Sequence, residues 1–246
     1  MQTFRRVRNR IDSVLRLSRQ SDLLMHHQSR ALRYFEDDSR TAEVVDRRDF
    51  LRNAFQYLSF NGIPGDYAEF GCYGARTFRL AWAAARLHNV SPHFWGYDSF
   101  EGLPASVDPR DEHPMWRQGE LLMSEADFRR TCEEFGMPAS QFTTVAGWYS
   151  DTLGANGAAK HPDHIGFAYI DCDMYTSTID VLRFLEPRID TGSLLAFDDW
   201  YCYGPGVLSG ERAAALEVFH DGATFRLEPY RQFAWAGMSF VAERVG

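Results

Sequence analysis

From residue 66 onward, short apolar runs that read as strands alternate with segments of helical period, and several of these runs close on glycine or aspartate. DYAEFG (66–71) ends in Gly71, HFWGYD (93–98) ends in Asp98, IGFAYID (165–171) ends in Asp171, and SLLAF (193–197) runs directly into Asp198-Asp199. A further strand is predicted at 142–146, and helices are predicted at 77–87, 124–135, 177–185 and 211–220. Ser124, three residues before Asp127, has the spacing of a helix N-cap. Strands alternating with helices require a parallel sheet covered on both faces, an α/β fold. Residues 223–227 and 233–243 read as two successive strands with no helix between them, which predicts an antiparallel hairpin at one edge.

The composition fits that architecture. At 246 residues and 45% hydrophobic, the chain is sized for one large domain and is neither disordered nor fibrous. No run reaches the ~18 apolar residues of a membrane span, and arginines interrupt the N-terminus where a signal peptide would be apolar. A soluble, cytoplasmic protein is expected. Four cysteines without a C-x-x-C pair give neither a zinc knuckle nor a disulfide framework. The net charge of −8 is uneven: residues 1–33 carry eight arginines against Asp12 and Asp22, leaving an acidic body that is unsuited to nucleic acid. Lys160 is the only lysine, so lysine chemistry is nearly excluded.

Phe4, Val7, Ile11 and Val14 recur at helical spacing, Leu23 to Tyr34 reads as a second helix, and 47–60 as a third before the turn at 61–65. The chain thus divides into a helical extension, 1–60, and a main domain, 61–246. Two readings of the basic helices stand: packing on the domain or a second subunit, or lying on an anionic membrane surface. Residues 99–123, rich in proline and charge, form a connection long enough for a lid, the alternative being a disordered loop.

In an open parallel sheet, ligands bind beyond the carboxyl ends of the strands. Glu69-Phe-Gly71-Cys-Tyr-Gly74 is a strand-to-helix turn whose glycine permits close backbone approach, although each glycine can also be a simple turn residue. Asp98, 29 residues after Glu69, stands where a carboxylate can accept both hydroxyls of a ribose. A nicotinamide enzyme would want G-x-G-x-x-G to hold a pyrophosphate; Gly71-x-x-Gly74 suits a nucleoside without phosphates. Asp171 and Asp173 end one strand, and Asp198-Asp199 end the next. Carboxylates so close repel unless a hard cation such as Mg²⁺ lies among them, the alternative being one capping aspartate and one solvated one. Strand alternation points Asp173 to the opposite face from its neighbour. A metal there would acidify a substrate hydroxyl, and with no histidine at these strand ends the base is an aspartate, Asp171 being best placed.

Taken together, GDYAEFGCYGARTF, YDSFEGLP, GELLMSEADFRRTCEEFG, GWYSDTL, IDCDMYTSTIDVLRFLEPRI and FDDWY resemble, in order and over about residues 60–243, the macrocin O-methyltransferase family. These enzymes depend on S-adenosylmethionine and magnesium and methylate sugar hydroxyls of antibiotics. The resemblance implies a class I methyltransferase fold, Rossmann-like, with seven strands of which the last is antiparallel. It implies that Glu69, Gly71, Tyr73 and Thr77 line the methionine side of the cofactor, that Asp98 and Ser99 hold the ribose, and that Gly147 and Trp148 lie near the adenine. It also implies that Asp171, Asp198 and Asp199 bind Mg²⁺, with Asp171 doubling as base, and that 101–123 is the lid. Met174 stands where catechol-type relatives place lysine, and Gly74-Ala75 where the family commonly has a basic residue and glycine. Residues 200–212 replace a short Gly-rich link on the acceptor side.

The expectation is therefore an O-methyltransferase acting on a hydroxyl of a glycosylated natural product or other carbohydrate, as a homodimer or higher homo-oligomer. The alternatives are a phenolic acceptor, or a non-catalytic module that retains the cofactor pocket.

Overall fold

The computed structural model describes residues 42–154 and 160–245, so the helices expected within 1–34 lie outside the described residues. Compact units divide at Val45/Asp46, and the larger unit, 46–246, carries the sheet. Helix α1 (42–61) comes first among the described residues. Then follow β1 (Asp66–Phe70), α2 (Arg76–Leu87), β2 (Phe94–Asp98), α3 (Glu125–Glu134), β3 (Phe142–Ala146), α4 (Tyr149–Thr152), β4 (Ile165–Ile170), α5 (Tyr175–Leu185), β5 (Leu194–Phe197), α6 (Gly210–Val218), β6 (Phe225–Phe233) and β7 (Gly237–Arg244).

The seven strands lie in the order β3-β2-β1-β4-β5-β7-β6; β1 to β5 are parallel, and β7 runs antiparallel to both β5 and β6. All six residues of β4 are buried, as a strand covered on both faces requires. One apolar layer joins Tyr67 and Phe167 of the sheet to Phe50, Phe55, Phe78 and Phe128 of α1, α2 and α3. The other joins Phe70 and Ile170 to Ile179, Leu182 and Ala214 of α5 and α6. Helix α2 shows why such segments fold: Phe78, Ala81, Trp82 and Ala85 form one buried stripe at i, i+3, i+4 and i+7. Ser124 caps α3, accepting the Asp127 N–H at 3.1 Å.

The edge hairpin differs from its predicted bounds. β6 continues through Pro229 to Phe233, which ends the first strand instead of opening the second. An edge strand tolerates a proline that cannot donate to a ladder, and the register shifts between Pro229 and Arg231. Among the described residues, no helix is long and apolar enough to cross a membrane.

Candidate active site

Strand order reverses beside β1, and the carboxyl ends of β2, β1, β4 and β5 are laced together. Gly71 N–H donates to Tyr97 O at 2.9 Å, Asp171 N–H to Phe70 O at 2.8 Å, and Asp198 N–H to Ile170 O at 2.9 Å. Gly71 has φ +88°, and a Cβ there would lie 1.8 Å from the carbonyl oxygen of Asp171. The bare α-carbon therefore makes room for the neighbouring strand end; the close approach is to protein backbone. Ala75, where the family commonly has glycine, sits at φ +53° with its side chain fully buried. That left-handed conformation accounts for the usual glycine.

A cavity of about 350 Å³ opens above these ends, lined by Gly71, Tyr73, Asp98, Ser99, Gly147, Trp148 and Asp171 from the predicted set. Leu103, Val107, Tyr149, Thr176 and Asp180 complete much of its wall. Asp98 accepts the N–H groups of Cys72 and Phe100, both at 2.7 Å, one on each carboxylate oxygen. Burial raises its pKa and these two bonds partly offset the rise. Each oxygen keeps a lone pair for a ligand hydroxyl. Gly147, at φ +133°, donates its N–H to Asp98 O at 3.0 Å. Ser99 is turned onto the loop, donating to Gly102 O at 3.0 Å.

Two of the residues predicted to bind the cofactor stand off the cavity wall. Glu69 is 2% exposed and accepts the Tyr67 hydroxyl, with burial pushing its pKa up to about 8. Thr77 is half-buried in the first turn of α2.

The acidic half is crowded. One carboxylate oxygen from each of Asp171, Asp173 and Asp199 lies within 4.8 Å of the others. Asp173 joins this trio because regular strand geometry stops at Ile170, and Asp173 takes φ +60° at the centre of a tight turn in which Met174 N–H reaches Cys172 O at 2.6 Å. Alternation cannot be extrapolated through such a turn. Asp198 is engaged differently: Arg47 of α1 holds both its oxygens, Nε at 2.9 Å and Nη2 at 2.8 Å, and the Tyr169 hydroxyl donates to it as well. Burial pulls Arg47 down, but the bonds and charge of Asp198 outweigh it and raise its pKa. Burial, then the charges of Asp198, Asp199 and Asp173, raises Asp171; burial and Asp198 push Asp199 up to about 6. An all-carboxylate donor set under mutual repulsion fits a hard divalent cation and not a soft one.

Residues 101–123 wrap back on themselves, with Leu103 N–H on Glu120 O and Gly119 N–H on Leu103 O, both at 2.9 Å. Asp111, only 1% exposed, fastens this loop to α5 by accepting Thr176 N–H at 2.8 Å and Thr176 Oγ1–H at 3.0 Å. A carboxylate at the first turn of a helix satisfies orphan N–H groups and opposes the dipole favourably. Asp111 and Arg47 escaped sequence reasoning because each acts on a partner far along the chain. Thr176 and Asp180 carried a readable sign, the i, i+4 spacing of one helix face.

A profile of the macrocin-O-methyltransferase (TylF) family matches residues 31–217. Relatives include the 8-demethyl-8-(2,3-dimethoxy-alpha-L-rhamnosyl)-tetracenomycin-C 4'-O-methyltransferase of Streptomyces olivaceus, 28% identical over 66% of this chain and 63% of its own length. Another is the mycinamicin III 3''-O-methyltransferase of Micromonospora griseorubida, 28% identical over 64% of this chain and 63% of its own. This chain thus matches slightly less than two thirds of the length of these relatives. Among solved structures, the O-methyltransferase NovP superposes with a TM-score of 0.66 at 24% identity over 81% of each chain. The calicheamicin methyltransferase CalS11 gives 0.60 at 22% identity, covering 79% of this chain and 77% of its own. Both share the fold, a class I methyltransferase sheet. With the family profile spanning well over half its residues, the chain belongs to the macrocin O-methyltransferase family.

Proposed function

We propose that the protein is an S-adenosylmethionine- and Mg²⁺-dependent O-methyltransferase acting on a sugar hydroxyl of a glycosylated natural product or other carbohydrate. The observation that carries this reading is the adjacency, through the Gly71–Asp171 backbone contact, of a nucleoside-sized cavity and a converging set of carboxylates. The relatives' names, which specify 4'-O-methylation of a rhamnosyl-bearing tetracenomycin and 3''-O-methylation of mycinamicin III, supply the acceptor class.

When bound, the cofactor supplies an electrophilic methyl on a sulfonium, and Mg²⁺ supplies a Lewis acid at the acceptor hydroxyl. Asp98 accepts the ribose hydroxyls, Ser99 backs it, and Gly147 and Trp148 border the adenine. Gly71 and Tyr73 border the methionine end, with Glu69 and Thr77 behind them. Asp171, Asp198 and Asp199 would hold the cation. Asp173 is the third carboxylate of the converged trio, and Asp198 stands beside it under the hold of Arg47. Asp171 takes the acceptor hydroxyl's proton on its carboxylate. Loop 101–123 closes over the cavity as a lid and excludes water.

S-adenosylhomocysteine binding by calorimetry tests the nucleoside half, and protein that does not bind it sinks the reading. Turnover of glycosylated acceptors with labelled cofactor, lost in excess EDTA, tests the rest; turnover on phenols alone, or none with any acceptor, favours the phenolic or non-catalytic alternative. The helical extension 1–60 is proposed to mediate a homodimer or higher homo-oligomer, which light scattering checks. A cytoplasmic location is proposed with it.

A further inference from the structure

One buried carboxylate belongs neither to the cavity wall nor to the converged trio. Glu211, in the first turn of α6, has no exposed surface. Its Oε1 accepts the backbone N–H of Cys172 at 2.9 Å, and its Oε2 accepts the backbone N–H of Asp199 at 3.0 Å. Cys172 lies between Asp171 and Asp173, so a single side chain grips the two turns that carry all three converged acids. The hydrogen-bonded contact between β4 and β5 reaches as far as Asp198 N–H on Ile170 O, and Glu211 continues the connection beyond it.

The start of α6 is docked on the same turn by a second contact. Gly210 has φ +60°, and a Cβ there would lie 3.1 Å from the carbonyl oxygen of Asp173 and 3.1 Å from that of Cys202. Ser209, 1% exposed, holds the preceding loop by accepting Gly204 N–H at 2.9 Å. A carboxylate buried beside other carboxylates is electrostatically costly, and burial followed by the charge of Asp199 raises its pKa. What a glutamine of the same size cannot offer is two acceptor oxygens for two backbone N–H groups at once.

We infer that Glu211 is a positioning residue that sets the spacing between the Asp171–Asp173 turn and Asp199, and through it the affinity of the site for a divalent cation. The inference rests on the metal half of the proposed function. A glutamine at 211 keeps one acceptor but turns an NH₂ group toward the second backbone N–H, so one turn is released while the volume is preserved.

The test compares wild type with Glu211→Gln, titrating Mn²⁺ by electron paramagnetic resonance and S-adenosylhomocysteine by calorimetry. The expected result is Mn²⁺ affinity weakened about 10- to 100-fold, the scale of lost outer-shell support, with S-adenosylhomocysteine affinity unchanged. The Mg²⁺ concentration for half-maximal turnover shifts by the same factor. Folded Glu211→Gln protein with wild-type Mn²⁺ affinity overturns the inference, as does equal weakening of both ligands, which is the signature of general destabilisation. Hydrogen exchange in the unaltered protein decides the matter if the variant does not fold. The Cys172 and Asp199 amides should be protected, and exchange as fast as unbonded loop amides overturns the clamp. Wild-type protein that binds no Mn²⁺ sinks the metal reading instead, and the same two amides then decide the clamp.

Discussion

The two halves of the strand-end crevice are held together in opposite ways. At β1 and β2, Asp98 is satisfied by the N–H groups of Cys72 and Phe100, local backbone of these two strand ends. At β4 and β5, Asp171, Asp173, Asp198 and Asp199 crowd together, and the groups that answer them come from distant elements, Arg47 of α1 and Glu211 of α6. The first half is organised by its own backbone. The second is organised against repulsion, so its state depends on protons and on support from far along the chain.

That contrast can be broken most sharply at Asp171. Asp171→Asn should lower methyl transfer roughly 10²- to 10⁴-fold, the usual worth of a positioned base, while calorimetry shows unaltered S-adenosylhomocysteine binding. Full turnover would remove Asp171 from the chemistry. The converse variant, Asp98→Ala, should weaken S-adenosylhomocysteine binding by about 1.5–3 kcal/mol, the scale of hydrogen bonds to a charged group, and leave Mn²⁺ affinity intact. Loss of both would mean that the halves are one cooperative unit.

Within the acidic half, Asp173→Asn should cost about tenfold in Mn²⁺ affinity, about 1.4 kcal/mol, and Asp198→Asn less, because Arg47 already occupies Asp198. The reverse order would make Asp198 a stronger ligand than Asp173.

The smallest effect expected is thermal. Burial pushes Glu69 up to about 8 from an ordinary 4.5, so between those values the unfolded chain has lost the proton and the folded protein keeps it. Stability contributed by Glu69 is therefore complete below about pH 4.5 and falls as pH rises toward 8. Metal-free protein should lose about 1 kcal/mol, or about 2–4 °C in Tm, between pH 6.5 and 7.5, and Glu69→Gln should flatten the slope when followed by circular dichroism.

Much of this arrangement was legible in the residues. Strand ends at Asp98, Asp171 and Asp198, the Ser124 cap and the antiparallel final strand all follow from local periodicity and from rules of chain connection that need no knowledge of distant partners. Legibility failed where backbone departs from its regular period or where the partner is remote. Asp173 turns toward Asp171 because of one positive φ, which strand alternation does not encode. Asp111 on Thr176 and Arg47 on Asp198 span 65 and 151 residues, distances over which no spacing rule operates. Glu69 shows the same limit in another form: its position at the strand end was readable, but its pairing with Tyr67, two residues back on the same face, draws it away from the cavity.

The Gly71–Asp171 contact also bears on redesign. With Asp171 O occupying the space of a Cβ at Gly71, the ends of β1 and β4 share one mechanical joint, and a side chain at position 71 would displace the Asp171 turn along with its own. Loop 101–123 and residues 200–208 lie outside that joint. Library screening for a changed acceptor therefore belongs in residues 200–208, because Leu103 and Val107 of loop 101–123 line the same cavity as Gly71 and Asp98.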